Sequence, residues 1–234
     1  MREEDLQIDR SCHCVYSKAC RELILDKIKF HYEPHQVDPI FEEIQHQYER
    51  YLKDFNRRDL GGEKNFHNAK AGTYDCIMLV CYYVVCKDKT NFNEIEEMTK
   101  ELTVGSFNKL GFVNIDKPFF KRLMYIAFKN AEKKCHKWQD FTMNLDSYEK
   151  NKPLHYCFTR CPFADFIHQF GLEEIAGALC NVDYASMEAM NVKLVRRHTL
   201  IEGDHCDYTF YSPKDPYLKD HEEYRDAWGF IRNK

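Results

Sequence analysis

Apolar residues recur at helical spacing through the first half of the chain. Val15, Ala19, Leu23, Ile24 and Ile28 predict a helix over 11–32, which Pro34 ends. A second opens at Pro39 and carries Ile40, Ile44, Tyr48, Tyr51, Leu52 and Phe55 to about residue 60, where Gly61 and Gly62 close it. Residues 68–87 hold the most apolar run and predict a buried helix. Residues 91–110 predict a fourth, with Gly105 inside it, and Gly111 stops it. A fifth begins at Asp116, just before Pro118. Phe120, Leu123, Met124 and Ala127 are expected to face inward, with Lys133 and Lys134 near the C-terminal end, where the helix dipole favours cations.

The period then changes. Residues 139–145 and 154–159 read as strands around the polar turn 146–153. Pro162 suits a first helical position, which puts Cys161 at an N-cap, and Phe163, Phe166, Ile167 and Phe170 follow at helical spacing until Gly171. Residues 172–190 predict one further helix with Ile175, Leu179, Val182 and Met190 as its apolar side. On it Cys180, Asp183 and Tyr184 lie three and four apart and share a face. Beyond Asn191, Val192, Leu194, Arg196 and His198 alternate with Lys193, Val195 and Arg197. This is a strand pattern, turned at Gly203 and Asp204 into a return strand over 207–212. The expected fold is α+β: a helical N-terminal half packed with a C-terminal antiparallel sheet of about four strands that carries two helices. One domain over 1–234 is expected, with a helical part (1–137), a sheet-and-helix part (138–215) and a polar, aromatic tail (216–234).

Composition narrows the function. A net charge of −4 leaves no basic footprint for nucleic acid or an anionic membrane surface. The apolar run 74–86 falls short of the roughly 18 to 20 residues that span a bilayer. The charged opening Met1 to Asp5 gives no signal-peptide pattern. Eleven cysteines without such a signal imply reduced thiols and a cytoplasmic setting. With 17 Phe and 15 Tyr, a ring-lined pocket or interface and a merely aromatic core are equally served.

Few of the thiols suggest chemistry. Cys12, His13, Cys14 and Cys20, with His31 and His35, lack a second close ligand pair for tetrahedral zinc. Cys76, Cys81 and Cys86 are spread around an apolar helix and read as small buried hydrophobes. Cys161 differs, because free N–H groups at a helix start favour a thiolate. Asp183 on an otherwise apolar helix calls for a partner, such as Arg160 or Tyr184, or for a catalytic duty. Zinc held by Cys161, Cys180 and Cys206 is compatible with the long spacing but lacks close ligand pairs. No metal and no other cofactor are expected.

The blocks Arg160-Cys161-Pro162, Gly171-Leu172-Glu173-Glu174, Cys180-Asn181-Val182-Asp183-Tyr184, Arg197-His198-Thr199-Leu200 and Gly203-Asp204-His205-Cys206-Asp207-Tyr208 stand in the order that resembles the L-2-amino-thiazoline-4-carboxylic acid hydrolase family. The resemblance is carried by about the last third of the chain. It implies hydrolytic opening of a small cyclic amidine to an N-carbamoyl-cysteine-type product. On that reading Cys161 is the nucleophile, Asp183 or Asp204 moves protons and holds the amidinium, and His155 or His205 is the base. Arg160 and Arg197 are candidates for the substrate carboxylate, with Tyr184, Cys180 and Cys206 around the substrate. A variant without a covalent intermediate lets Asp183 activate water.

The closing Glu202-Gly203-Asp204-His205-Cys206 loop is also similar to the end of small-molecule-binding domains of the 4-vinyl-reductase type and of vesicle-tethering subunits. These imply a rival, a non-catalytic ligand-binding module of the 4-vinyl-reductase type with the same pocket and no turnover. A small-molecule substrate is the expected partner, nucleic acid and membrane are not, and a homodimer is compatible with the sequence.

Overall fold

The computed structural model describes residues 16–54, 72–105, 107–138 and 141–234. The chain gathers into two compact units, 1–102 and 103–234. In the first, α1 (Lys18–His31), α2 (Val37–Asp54), α3 (Gly72–Val85) and most of α4 (Phe92–Val104) surround an aliphatic and aromatic core of Ile24, Ile28, Ile44, Tyr48, Ile77 and Met78. Ser17 caps α1: its Oγ accepts from Cys20 N–H at 3.0 Å and donates to Asp75 on α3 at 2.8 Å. The middle of the 74–86 run is buried, Cys81 and Cys86 wholly so, while Cys76 and 83–85 are half-buried. Of the metal ligands considered near the N-terminus, Cys12, His13 and Cys14 lie outside the described residues, as do Gly61 and Gly62. Cys20 is buried, and His31 pairs with Glu94 at 2.9 Å. Gly105 ends α4 rather than lying within it, and a short 3-10 turn, Asn108–Leu110, follows separately.

The second unit opens with α5 (Pro118–Trp138) and carries an antiparallel sheet in the order β1-β2-β4-β3, from β1 (Thr142–Leu145), β2 (Leu154–Arg160), β3 (Lys193–Val195) and β4 (Cys206–Tyr211). The α+β expectation holds, with the helical N-terminal half and the four-stranded C-terminal sheet. Pairing of Leu154 with Phe210, Tyr156 with Tyr208 and Phe158 with Cys206 sets one face of the sheet, and alternation puts His155, Cys157, Asp207 and Thr209 on the other. Onto the first face α5 delivers Phe128, whose ring lies 5.1 Å from Tyr156 and 4.9 Å from Phe210. Its inward stripe is therefore Met124, Tyr125, Phe128 and Glu132, with Lys121 donating to the carbonyls of Glu149, Lys150 and Lys152; Leu123 and Ala127 are exposed. Neighbouring apolar stripes one position apart made the phase ambiguous.

Two features of the chain end were not foreseen. The predicted helix over 172–190 is two helices, α7 (Glu173–Cys180) and α8 (Val182–Ala189), after α6 (Pro162–Phe170). At the joint the Tyr184 N–H bonds Asn181 O, three residues back, so the ladder changes register. Asn181 is fully buried: its amide donates to Gly229 O at 2.9 Å and accepts from Ile231 N–H at 2.8 Å. The tail thus packs onto this joint, and it forms its own antiparallel pair, β5 (Glu223–Arg225) with β6 (Ile231–Asn233).

Gly177 is what lets the tail approach. A Cβ there would stand 2.8 Å from the Trp228 carbonyl oxygen and 3.1 Å from Gly229 C, both backbone. Helix propensity alone favours alanine by about 1 kcal/mol, but overpacking against backbone costs about 1–3 kcal/mol. Gly177→Ala is expected to lower the urea midpoint, and a raised midpoint would show that the tail moves aside freely.

Candidate active site

Arg196, at the exit of β3, is among the described residues the largest side chain with no exposed surface. Its Nη1 donates to Asp183 Oδ2 at 3.2 Å and to the Cys180 carbonyl at 3.3 Å. The rings of Tyr184, Tyr208 and Phe230 lie 5.2, 5.8 and 6.0 Å from the guanidinium carbon, within cation–π range. Nε and Nη2, which form the other edge of the guanidinium fork, have neither a hydrogen-bond partner among the described residues nor access to solvent. The rings and the charge of Asp183 are what compensate this cation.

Asp183 sits in the first turn of α8. Besides Arg196, it accepts from the Tyr208 hydroxyl at 3.0 Å. Its side chain keeps 39 % of its surface accessible, yet burial pushes its carboxyl above the usual carboxylate range, with Arg196 and Tyr208 partly offsetting that rise. Water reaches the accessible part of the carboxyl, which limits the rise that burial causes. Tyr208 stacks on Tyr156 across the β2–β4 pair at 4.8 Å, and burial keeps both hydroxyls firmly protonated. Burial works against the charge of Arg196, and the negative charge of Asp183 works for it.

Three of the predicted thiols border this group. Cys161 caps α6 in an extended conformation before Pro162, as expected, and Gly171 closes that helix at φ 64°. The backbone N–H groups of Ala164 and Phe163 do pull the Cys161 thiol down, but burial is the larger effect and pushes it up to about 12, with Cys206 adding to the rise. Burial thus works against the thiolate expected at this N-cap, although the side chain is half-buried. Burial also raises Cys180 against the pull of Arg196, and raises Cys206 although Leu200 N–H donates to its sulfur at 3.1 Å.

The fold therefore brings together Cys161, Cys180, Asp183 and Cys206. Tyr184 stands behind, its ring on Arg196 and its hydroxyl donating to Asn233 in the tail at 2.9 Å. The partner of Asp183 is Arg196, neither Arg160 nor Tyr184. Arg160 pairs with Asp165 at 3.3 Å. Arg197 points elsewhere, donating to the Tyr217 hydroxyl at 2.7 Å. Asp204 is 96 % exposed and pairs with its neighbour His205 at 2.6 Å on the outer loop, and His155 pairs with Asp146 at 3.0 Å. Arg196, Tyr208 and Tyr156 were not anticipated as site residues. The signal for Arg196 was its phase, since it falls in step with the apolar Val192 and Leu194, both buried.

In this α+β unit a carboxyl is held between a buried guanidinium and a tyrosine hydroxyl, beside three thiols. The chain belongs to the L-2-amino-thiazoline-4-carboxylic acid hydrolase family, whose model matches residues 77–210, more than half of its length. The matched span contains Tyr156, Cys161, Cys180, Asp183, Arg196, Cys206 and Tyr208 and stops before the tail. No curated protein and no solved structure matches the chain. Among the described residues no helix is long and apolar enough to cross a membrane.

Proposed function

We propose that this chain is a hydrolase that opens L-2-amino-thiazoline-4-carboxylate, or a closely similar cyclic amidine, with Asp183 as general base. The observation that carries the reading is the Arg196–Asp183–Tyr208 arrangement in a member of a family with that name. Asp183 takes a proton from water as the oxygen adds to the amidine carbon, and passes it to the ring nitrogen. The ring C–S bond then breaks, and the departing sulfur takes the hydroxyl proton. One water has been added, and the product is N-carbamoyl-cysteine. Arg196 is a positioning residue that holds Asp183 ionised and aimed. Arg160, next to Cys161 in the chain and a third exposed, is assigned to the substrate carboxylate.

The direct-water route is preferred over a covalent one because the Cys161 thiol is pushed up to about 12. At neutral pH a resting thiolate would be scarce. Cys161→Ser is therefore expected to keep kcat within about tenfold of wild type, a change of about 1.4 kcal/mol in the barrier. Removing a covalent nucleophile costs many orders of magnitude more. Ring opening followed by product mass distinguishes the two, and a dead but folded serine variant would restore Cys161 as nucleophile.

The same observation favours a second reading. A non-catalytic binding module needs no activated thiol, and none of Cys161, Cys180 and Cys206 is activated. Saturable binding of the thiazoline without turnover by purified wild type would select it.

A further inference from the structure

Residues outside the Asp183 group converge elsewhere. We propose that His198, His205 and Asp207 form a binding site for one divalent transition-metal ion of the zinc or cobalt type, on the face of the sheet opposite Tyr208. This goes beyond the hydrolase reading and does not depend on it. The three side chains bring potential ligand atoms within 4.8 Å of one another. His198 Nδ1 and Asp207 Oδ1 are 3.5 Å apart, close to the separation of about 3.4 Å that two ligands adopt on one tetrahedral zinc with bonds near 2.0–2.1 Å. The His198 and His205 rings are 4.8 Å apart and tilted by 34°, and both are accessible on the loop between β3 and β4.

The surroundings of each ligand suit this duty. Asp207 is held in place by the backbone N–H groups of Arg197 and His198, which both donate to Oδ1 at 2.9 and 2.6 Å and so leave Oδ2 to turn toward an ion, and it is only 15 % exposed. Asp204 pairs with His205 Nδ1 at 2.6 Å. With the proton of that nitrogen on Asp204's side of the ring, Nε2 carries the lone pair, the carboxylate–histidine arrangement that fixes tautomer and orientation in metal sites. Two imidazoles and one carboxylate prefer zinc, cobalt or nickel to magnesium or calcium, which favour all-oxygen sets. Solvent supplies the remaining coordination. Bound metal would join the exit of β3 to the start of β4 and so brace the loop that leads out of Arg196.

The test uses the full chain, freed of metal by chelator and kept reduced. Cobalt and zinc are titrated separately, with stoichiometry by equilibrium dialysis, the cobalt spectrum, and thermal unfolding. One ion per chain is expected, with nitrogen and oxygen ligation in the cobalt spectrum and a rise in Tm. Magnesium should not compete. His198→Gln and His205→Gln should each weaken binding by at least the roughly 10- to 100-fold typical of outer-shell loss, and Asp204→Asn should fall within that range. A thiolate-to-cobalt charge-transfer band, binding unchanged in both histidine variants, or no binding at submillimolar ion would overturn the assignment.

Discussion

Asp183→Asn is expected to lower kcat/KM for ring opening by roughly 100- to 10,000-fold, the range that a positioned general base supplies. Asparagine is nearly isosteric, and its oxygen still accepts from Tyr208 and from Arg196 Nη1, so the loss falls on charge and proton transfer rather than on shape. The wild-type pH profile should show the same group. Because burial raises the Asp183 carboxyl, the acid limb of kcat/KM lies above the value of about 3.9 of an ordinary aspartate. The effect on stability has the opposite sense. A carboxyl whose folded pKa is raised contributes most stability below its unfolded pKa, and that contribution is lost as pH rises through the folded pKa. Wild type should therefore lose stability relative to Asp183→Asn as pH rises from about 4 through that folded value, as read by urea midpoints. A flat difference across this window would mean that Asp183 titrates normally.

Arg196→Met is expected to cost about 3 kcal/mol in folding free energy, the low end of what removing one partner of a buried ion pair costs. Two features hold it at that end. Asp183 keeps 39 % of its surface and can become protonated or hydrated, and two of the guanidinium nitrogens already lack partners, so their loss leaves nothing further unpaired. Activity should change in a distinct way. Without the cation that lowers the Asp183 pKa, the acid limb of kcat/KM moves upward, and Arg196→Lys should bring it partly back, since a point charge restores the attraction but not the planar packing among three rings. A variant that loses stability while keeping its acid limb in place would make Arg196 purely structural.

What the sequence disclosed follows from how local each cause is. Pro162 and Gly171 fix backbone angles by themselves, so α6 and the N-cap position of Cys161 were legible from two residues. The break at Asn181 was not, because its cause is a tail some 50 residues onward whose backbone bonds the asparagine side chain. Strands β5 and β6 are three residues each, too short for alternation to register. In the site, Asp183 stood out as a carboxylate on an apolar helix. Its partner was overlooked because arginine is rarely fully buried, although Arg196 shares its phase with Val192 and Leu194. The thiolate expectation for Cys161 counted the helix N-terminus, a local effect, without the burial that the whole unit imposes. Asp204 and His205 were drawn toward the site by their place in the motif, while the hairpin turn carries them outward.

The most direct test of the central assignment is one assay of initial ring-opening rates for wild type, Asp183→Asn and Cys161→Ser, with N-carbamoyl-cysteine identified by mass. Water activation by Asp183 predicts an asparagine variant slowed by roughly 100- to 10,000-fold and a serine variant close to wild type. The reverse pattern, an active asparagine variant beside an inactive folded serine variant, would contradict it and place the chemistry on the thiol.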